Sequence, residues 1–174
     1  MRVVAGTARG RRLVAPEGTA TRPTSDRVRE ATFNALTSLD AIDGVEVLDL
    51  FAGSGAMGIE ALSRGAASAT FVDDDGRALA AIRANVAAVG FDDRSEVVRS
   101  DVGRFLAGRA RRVGLAVLDP PYSLADGAWA SLLVALDADV AVLESDRELV
   151  IGEAWEILRV RRYGTTVVTL AASR

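Results

Sequence analysis

Four consecutive residues, Asp119, Pro120, Pro121 and Tyr122, carry the most legible chemistry in this chain. They follow the apolar run Leu115–Leu118, so a bare carboxylate stands where a buried strand should end. Two prolines fix φ and restrict the residues before them, which holds Asp119 and the adjacent carbonyls in place. Proline has no N–H, so this lip is an array of acceptors, suited to a substrate –NH2 group. On a nucleobase such an amine is a poor nucleophile, because its lone pair is delocalised into the ring. Accepting one N–H at Asp119 and the other at the Pro120 carbonyl favours a pyramidal nitrogen with its lone pair aimed at an electrophile. The catalysis is then positioning and electrostatics, which can supply roughly 7–11 kcal/mol. Tyr122 offers a ring on which a base swung out of its stack can rest, a contact worth about 1–3 kcal/mol.

A second constellation precedes it. In "LDLFAGSGAMGIEAL", Gly53, Gly55 and Gly58 match G-x-G-x-x-G, and Asp73 follows at the end of the next apolar run. Such glycines let backbone approach a ligand, and a carboxylate at the second strand's end can grip ribose hydroxyls. The spacing alone admits a dinucleotide or another adenosine-containing cofactor. Three features favour S-adenosylmethionine over NAD. The glycine strand starts some 44 residues into the chain, Asp49 four residues before the first glycine suits a cationic ligand, and the usual His of hydride chemistry is missing. The cofactor segment is therefore expected to comprise Asp49, Phe51, Ala52, Gly53, Ser54, Gly55 and Gly58. Asp73 and Asp74 are expected at the ribose, and Asp101 with Val102 at the adenine amine, although Asp101 could equally cap a helix.

Composition narrows the chemistry further. The 174 residues contain no His, no Cys and no Lys; all 21 basic residues are Arg. A Ser-His-Asp triad, a thiolate, a Schiff-base lysine, a Walker lysine and a His/Cys zinc site are excluded, and no metal is expected. Charge is uneven: residues 1–30 hold seven Arg against three acids, and the rest fourteen against twenty-one. A basic arm on an acidic body suggests a polyanionic partner, with Arg2, Arg9, Arg11, Arg12 and Arg22 as its phosphate contacts. No apolar run approaches the ~20 residues of a membrane span, and a long secretory core is missing from the start, so a cytoplasmic location is expected.

These residues need a frame. "RVVAGTARGRRLVAP" (2–16) reads as a small basic β-hairpin, and "EGTATRPTSD" (17–26) as a polar linker. "SDRVREATFNALTSL" predicts a helix capped by Ser25, with Val28, Ala31, Ala35, Leu36 and Leu39 on its apolar face. From Val45 strands and helices alternate five times, and the chain closes with two strands turning at Gly164. The fold class is α/β: a Rossmann-like, seven-stranded, mostly parallel sheet with an antiparallel last strand and an N-terminal hairpin extension. The division is 1–20, a basic extension for the polyanionic partner (RNA, on the resemblance given below), and 21–174, a cofactor-binding domain. The fourth strand should lie beside the first, bringing Asp119 to the glycine loop.

The glycine loop together with Asp-Pro-Pro-Tyr resembles the class I SAM-dependent amino-methyltransferases. More narrowly, "TRPTSDRVREATFNAL" and "DLFAGSGAMGIEALSRGA" resemble the bacterial 16S ribosomal RNA (guanine-N2)-methyltransferase family over nearly the whole chain. The resemblance implies methylation of one guanine N2 in the 30S subunit or an assembly intermediate, with S-adenosylhomocysteine as product. It also implies Thr24 and Arg27 near the cofactor's methionine end and Asn85 supporting the loops behind the ribose. Asp73 stands where family members often carry Glu. A monomer is expected. The alternatives are a DNA adenine-N6 methyltransferase, for which the chain lacks room for a base-reading domain, and a nucleotide-binding oxidoreductase.

Overall fold

The computed structural model describes residues 1–17, 26–109 and 111–174. The elements are α1 (Asp26–Ser38), β1 (Glu46–Leu50), α2 (Ala56–Ser63), β2 (Ser68–Asp73) and α3 (Gly76–Val89). They continue as β3 (Ser95–Arg99), α4 (Val102–Ala107), β4 (Val113–Leu118), α5 (Asp126–Ala135), β5 (Ala138–Ser145), β6 (Trp155–Tyr163) and β7 (Thr166–Ser173). The cap expected at Ser25 lies outside the described residues.

All seven strands join one sheet in the order β3-β2-β1-β4-β5-β7-β6. The first five run parallel. β7 enters between β5 and β6 and is antiparallel to both, so β6 again runs with the first five. The expected adjacency of β1 and β4 is present, with Asp49 opposite Val117 and Leu50 opposite Leu118.

Alternation along the strands divides the core in two. Val47, Leu115, Val117 and Val142 face one side, packed with α1, α2 and α3. Leu48, Leu50, Ala116, Leu118 and Leu143 face the other, packed with α4 and α5. Both faces are covered, which is why these strands read as continuous apolar runs. Asp49 shares the face of Val47, two residues before it, so its carboxylate is directed under α2.

α2 lies unusually close to the sheet. A Cβ on Gly58 would stand 2.4 Å from Phe71 Cε1 and 3.1 Å from Asp49 Oδ2. No side chain fits there. Gly55, at the N-terminus of α2, has φ +75°, a left-handed conformation that glycine adopts without a Cβ clash.

The N-terminal segment is a compact antiparallel loop rather than a pair of extended strands. A single bridge joins Arg2 and Arg12, flanked by Val3 N–H donating to Arg11 O (3.0 Å) and Gly10 N–H to Val3 O (2.9 Å). Val3, Ala8 and Leu13 are buried in the α1–α3 side of the core. The loop is also sewn to α2, where Thr7 N–H donates to Ser63 O (2.8 Å) and Ala8 N–H to Ser63 Oγ (2.9 Å). On α1 the buried face is Val28, Arg29, Thr32, Phe33, Ala35 and Leu36. Leu39, expected on that face, is 46% exposed because the helix has already ended at Ser38.

Candidate active site

The carboxyl ends of β1, β2, β4 and β5 surround a cavity of about 460 Å³. β1 and its loop supply Asp49, Phe51, Ala52, Gly53 and Ser54 to the wall, and β2 supplies Asp73 and Asp74. β4 supplies Asp119, Pro120, Pro121 and Tyr122. The two sequence constellations, some sixty residues apart in the chain, therefore meet in one place.

Of the other expected cofactor residues, Gly55 and Gly58 stand behind the wall, where they let α2 approach β2. Asp101 does not line the cavity; it is exposed and caps α4 by accepting from Arg104 N–H at 2.9 Å. Val102 is buried in the α4–α5 side of the core. Arg27 is exposed on α1 and does not line the cavity. Thr24 and Arg22 lie outside the described residues.

The glycine loop is held by its own acids. Asp73 Oδ2 accepts from Gly53 N–H (2.8 Å) and Oδ1 from Asp75 N–H (3.0 Å). Asp49 Oδ2 accepts from Gly58 N–H (2.8 Å). Gly55 N–H donates to Ala52 O (2.7 Å). Asn85, buried on α3, donates from Nδ2 to Ser54 O (2.8 Å) and Val14 O (2.9 Å), and its Oδ1 accepts from Val14 N–H (2.8 Å). One side chain thus buttresses the glycine loop and ties the N-terminal segment to it. Met1, Ala15 and Pro16 complete that side of the wall.

Burial, opposed by the Gly58 N–H and aided by the neighbouring charges of Asp119 and Asp73, pushes the Asp49 carboxyl up to about 8. This is the behaviour of a carboxylate awaiting a cation.

At the acceptor lip, Leu124 N–H donates to Pro121 O (2.9 Å), closing a turn after the second proline. The Tyr122 hydroxyl lies 2.7 Å from Thr166 Oγ1 at the start of β7, which fixes the ring by its polar end. Asp119 N–H donates to Leu50 O across to β1 at 3.4 Å.

Among the wall residues that the sequence reading did not name, two are buried and charged. Glu144, at the end of β5, is 5% exposed and lines the cavity. Arg29 is fully buried and also lines it. Its Nη2 donates to Asp26 Oδ1 (2.9 Å) and to Arg2 O, and its Nε lies 3.6 Å from Glu60 Oε2. Glu60, also fully buried, accepts from Val4 N–H (2.7 Å), Ala5 N–H (3.0 Å) and Arg64 Nε (2.8 Å). This buried ion group clamps the N-terminal loop onto α1 and α2. Arg29 Nη1 has no hydrogen-bond partner among the described residues. A signal for both was available. Glu144 is a carboxylate ending a buried strand, like Asp49 and Asp119; Arg29 is a charge four and seven residues before the apolar Phe33 and Leu36.

Arg2, Arg9, Arg11 and Arg12 are all exposed on the N-terminal loop. Arg11 Nη2 donates to Ala88 O (2.8 Å), and Arg2 Nε lies 3.8 Å from Asp26. No helix among the described residues is long and apolar enough to cross a membrane.

Comparison with known proteins agrees with this arrangement. The family model described as "Conserved hypothetical protein 95" matches residues 1–172. YlbH of Bacillus subtilis (strain 168), provisionally named an rRNA methyltransferase, is 38% identical over the whole of both chains. Ribosomal RNA small subunit methyltransferase D of Haemophilus influenzae is 34% identical over 94% of this chain and 89% of its own. The solved structure of Escherichia coli yhhF, again provisionally named a methyltransferase, superposes with a TM-score of 0.86 at 34% identity, covering 100% of this chain and 98% of that one. With a model match over nearly its whole length and a class I methyltransferase sheet beneath it, the chain belongs to the Conserved hypothetical protein 95 family, alongside the small-subunit ribosomal RNA methyltransferase D proteins.

Proposed function

We propose that the protein transfers a methyl group from S-adenosylmethionine to the exocyclic N2 of a guanine in small-subunit ribosomal RNA. The observation that carries this reading is the meeting of Asp119-Pro120-Pro121-Tyr122 with the glycine loop and Asp49 in one cavity. The names of the relatives supply the RNA class, and the site supplies the chemistry.

The residues fit this cofactor better than a dinucleotide. A pyrophosphate needs free backbone N–H groups at the loop. Here the Gly53 and Gly58 N–H groups are already given to Asp73 and Asp49, and that of Gly55 to Ala52 O. The wall presents carboxylates instead: Asp49, Asp119 and Glu144. Asp49 would hold the cationic part of the cofactor, the glycine loop its sugar edge, and Asp73 the ribose hydroxyls, which leaves Asp119 to the acceptor amine. When bound, the cofactor supplies an electrophilic methyl group on a sulfonium.

The chain's own residues do the rest. Asp119 and the Pro120 carbonyl accept the two N–H bonds of the amine and turn its lone pair away from the ring. Tyr122, held at its hydroxyl by Thr166, carries the extruded base on its face. As the amine becomes more acidic during transfer, the Asp119 carboxylate holds the N–H proton that is finally lost to solvent. Fixed acceptors in a partly desolvated cavity need no reorganisation at the moment of reaction.

Residues 1–20 serve as the RNA-binding extension on the catalytic domain of 21–174, acting as a monomer in the cytoplasm on the 30S particle or its precursor. The support is spatial: Met1, Ala15 and Pro16 line the cavity, so the loop bearing Arg2, Arg9, Arg11 and Arg12 forms part of the rim that RNA must cross.

The test is incorporation of labelled methyl from S-adenosylmethionine into undermethylated 30S particles, free 16S rRNA and DNA, followed by nucleoside analysis. N2-methylguanosine from the ribosomal substrates is expected. Label on DNA alone, as N6-methyladenine or otherwise, or on no substrate, overturns the reading.

A further inference from the structure

Glu144 is a buried carboxylate to which the transfer step gives no role. Its position follows from the sheet. Leu143 of β5 is in register with Leu118 of β4, so the residues after them, Glu144 and Asp119, are neighbours on adjacent parallel strands. Both follow the alternation of Val142 and Val117 and face the α1–α3 side, and both line the same cavity. Strand order then assigns sides. β1, with the glycine loop, flanks β4 on one side, and β5 flanks it on the other. Glu144 is therefore separated from the cofactor loop by Asp119, on the side where the acceptor base must enter. Tyr122 and Thr166, on the strand beyond β5, bound that same side.

We propose that Glu144 is the residue that selects guanine, by accepting the N1–H next to the amine that Asp119 holds. This rests on the guanine-N2 reading above. The Watson–Crick edge of guanine presents N2–H2 and N1–H side by side, two adjacent donors for two adjacent carboxylates. Adenine and cytosine each place an unprotonated ring nitrogen beside their exocyclic amine. A carboxylate facing that lone pair is repelled and gains no hydrogen bond. A site built to accept a specific N–H rejects the analogue lacking it far more strongly than a pocket that reads shape alone. The Asp-Pro-Pro-Tyr lip, which serves any amine, thereby acquires a preference among bases.

The probe is 2-aminopurine, which keeps the exocyclic 2-amine but has N1 unprotonated. It is placed at the mapped target position of 16S rRNA by splinted ligation, and kcat/KM is compared with the guanine substrate. Wild-type protein should prefer guanine by at least about 100-fold. In Glu144→Gln the amide can accept from N1–H or donate to bare N1, so the preference should fall to within about tenfold, partly through a gain on 2-aminopurine. Glu144→Asp, which keeps the carboxylate, should keep most of the preference. Wild-type protein that methylates 2-aminopurine as well as guanine overturns the proposal, and needs no variant to do so. Glu144→Gln that loses both substrates equally, with S-adenosylmethionine affinity intact by calorimetry, also overturns it and leaves Glu144 a structural role. Absence of any methylation of the guanine substrate is the different failure, that of the proposed reaction.

Discussion

With an ordinary pKa Asp49 would be charged throughout neutral pH; in the fold it titrates near 8, so its carboxyl holds a proton under most conditions. Two expectations follow from the sign of that shift. The unfolded chain releases this proton near 3.8 and the folded chain near 8. Asp49's contribution is therefore fully present below about pH 4, declines as pH rises towards 8, and is level above. Asp49→Asn should remove that decline, seen as a smaller drop in urea midpoint between pH 5 and pH 8.5. Affinity for the cationic cofactor should rise with pH up to about 8, by at most about tenfold per unit, with proton release detectable by calorimetry in buffers of different ionisation enthalpy. Asp119 is one of the charges that raises Asp49. Asp119→Ala should therefore move this pH dependence to lower pH while reducing methyl transfer at least about 100-fold, with S-adenosylmethionine affinity within a few-fold of wild type at pH 9. Lost affinity would show that Asp119 serves the cofactor rather than the amine.

Among the elements, the close seat of α2 on β2 is the joint that aims both acids. Gly58→Ala forces a methyl into the Phe71 ring, at a cost of roughly 1–3 kcal/mol in chemical denaturation. Combining it with Phe71→Leu should cost less than the two changes summed, because the space is shared. The Arg29–Glu60 pair makes a second joint. Glu60→Leu leaves Arg29 charged and buried without its α2 partner, and should destabilise the fold by about 3–5 kcal/mol. Much of this was legible from the residues. Apolar runs located the buried strands, a carboxylate at a strand's end pointed to Asp73 and Asp119, and spacing before the glycines pointed to Asp49. The same rule applied to β5 points to Glu144, but the residue was hidden in a run read only for its strand. Asp101 obeys the same rule at the end of β3, the strand at the sheet's edge, where its side chain caps α4. Arg27 and Arg29 show what periodicity alone misses, since two residues on a helix separate an exposed side chain from a buried one.

For the molecule as a whole, charge is arranged so that the basic loop borders an acidic cavity. Phosphates are drawn to the rim while the cavity itself repels them, which leaves room for a base and a cationic cofactor. Replacing Arg2, Arg9, Arg11 and Arg12 by Ser should weaken RNA binding and reduce the slope of log affinity against log salt by roughly 0.7–0.9 for each phosphate that is no longer neutralised. An unchanged slope would place the RNA interface elsewhere. The neutral loop should keep its seat, since its buried residues and the Asn85, Ser63 and Glu60 bonds use backbone groups rather than the arginines' charge.

The position of β7 bears on how the protein is made. It is not a border strand: β5 and β6 both depend on it for pairing. On the ribosome, the parallel half can assemble while translation continues, but β6 has no neighbour until residues 166–173 have emerged from the exit tunnel. Nascent chains stalled on a C-terminal linker long enough to clear the tunnel should be protease-sensitive across β6 when they stop just before Thr166, and resistant when they include residues 166–173. A frameshift just ahead of Thr166 is accordingly no minor lesion, for it removes the strand that joins β6 to the sheet, and with it Thr166, the anchor of Tyr122.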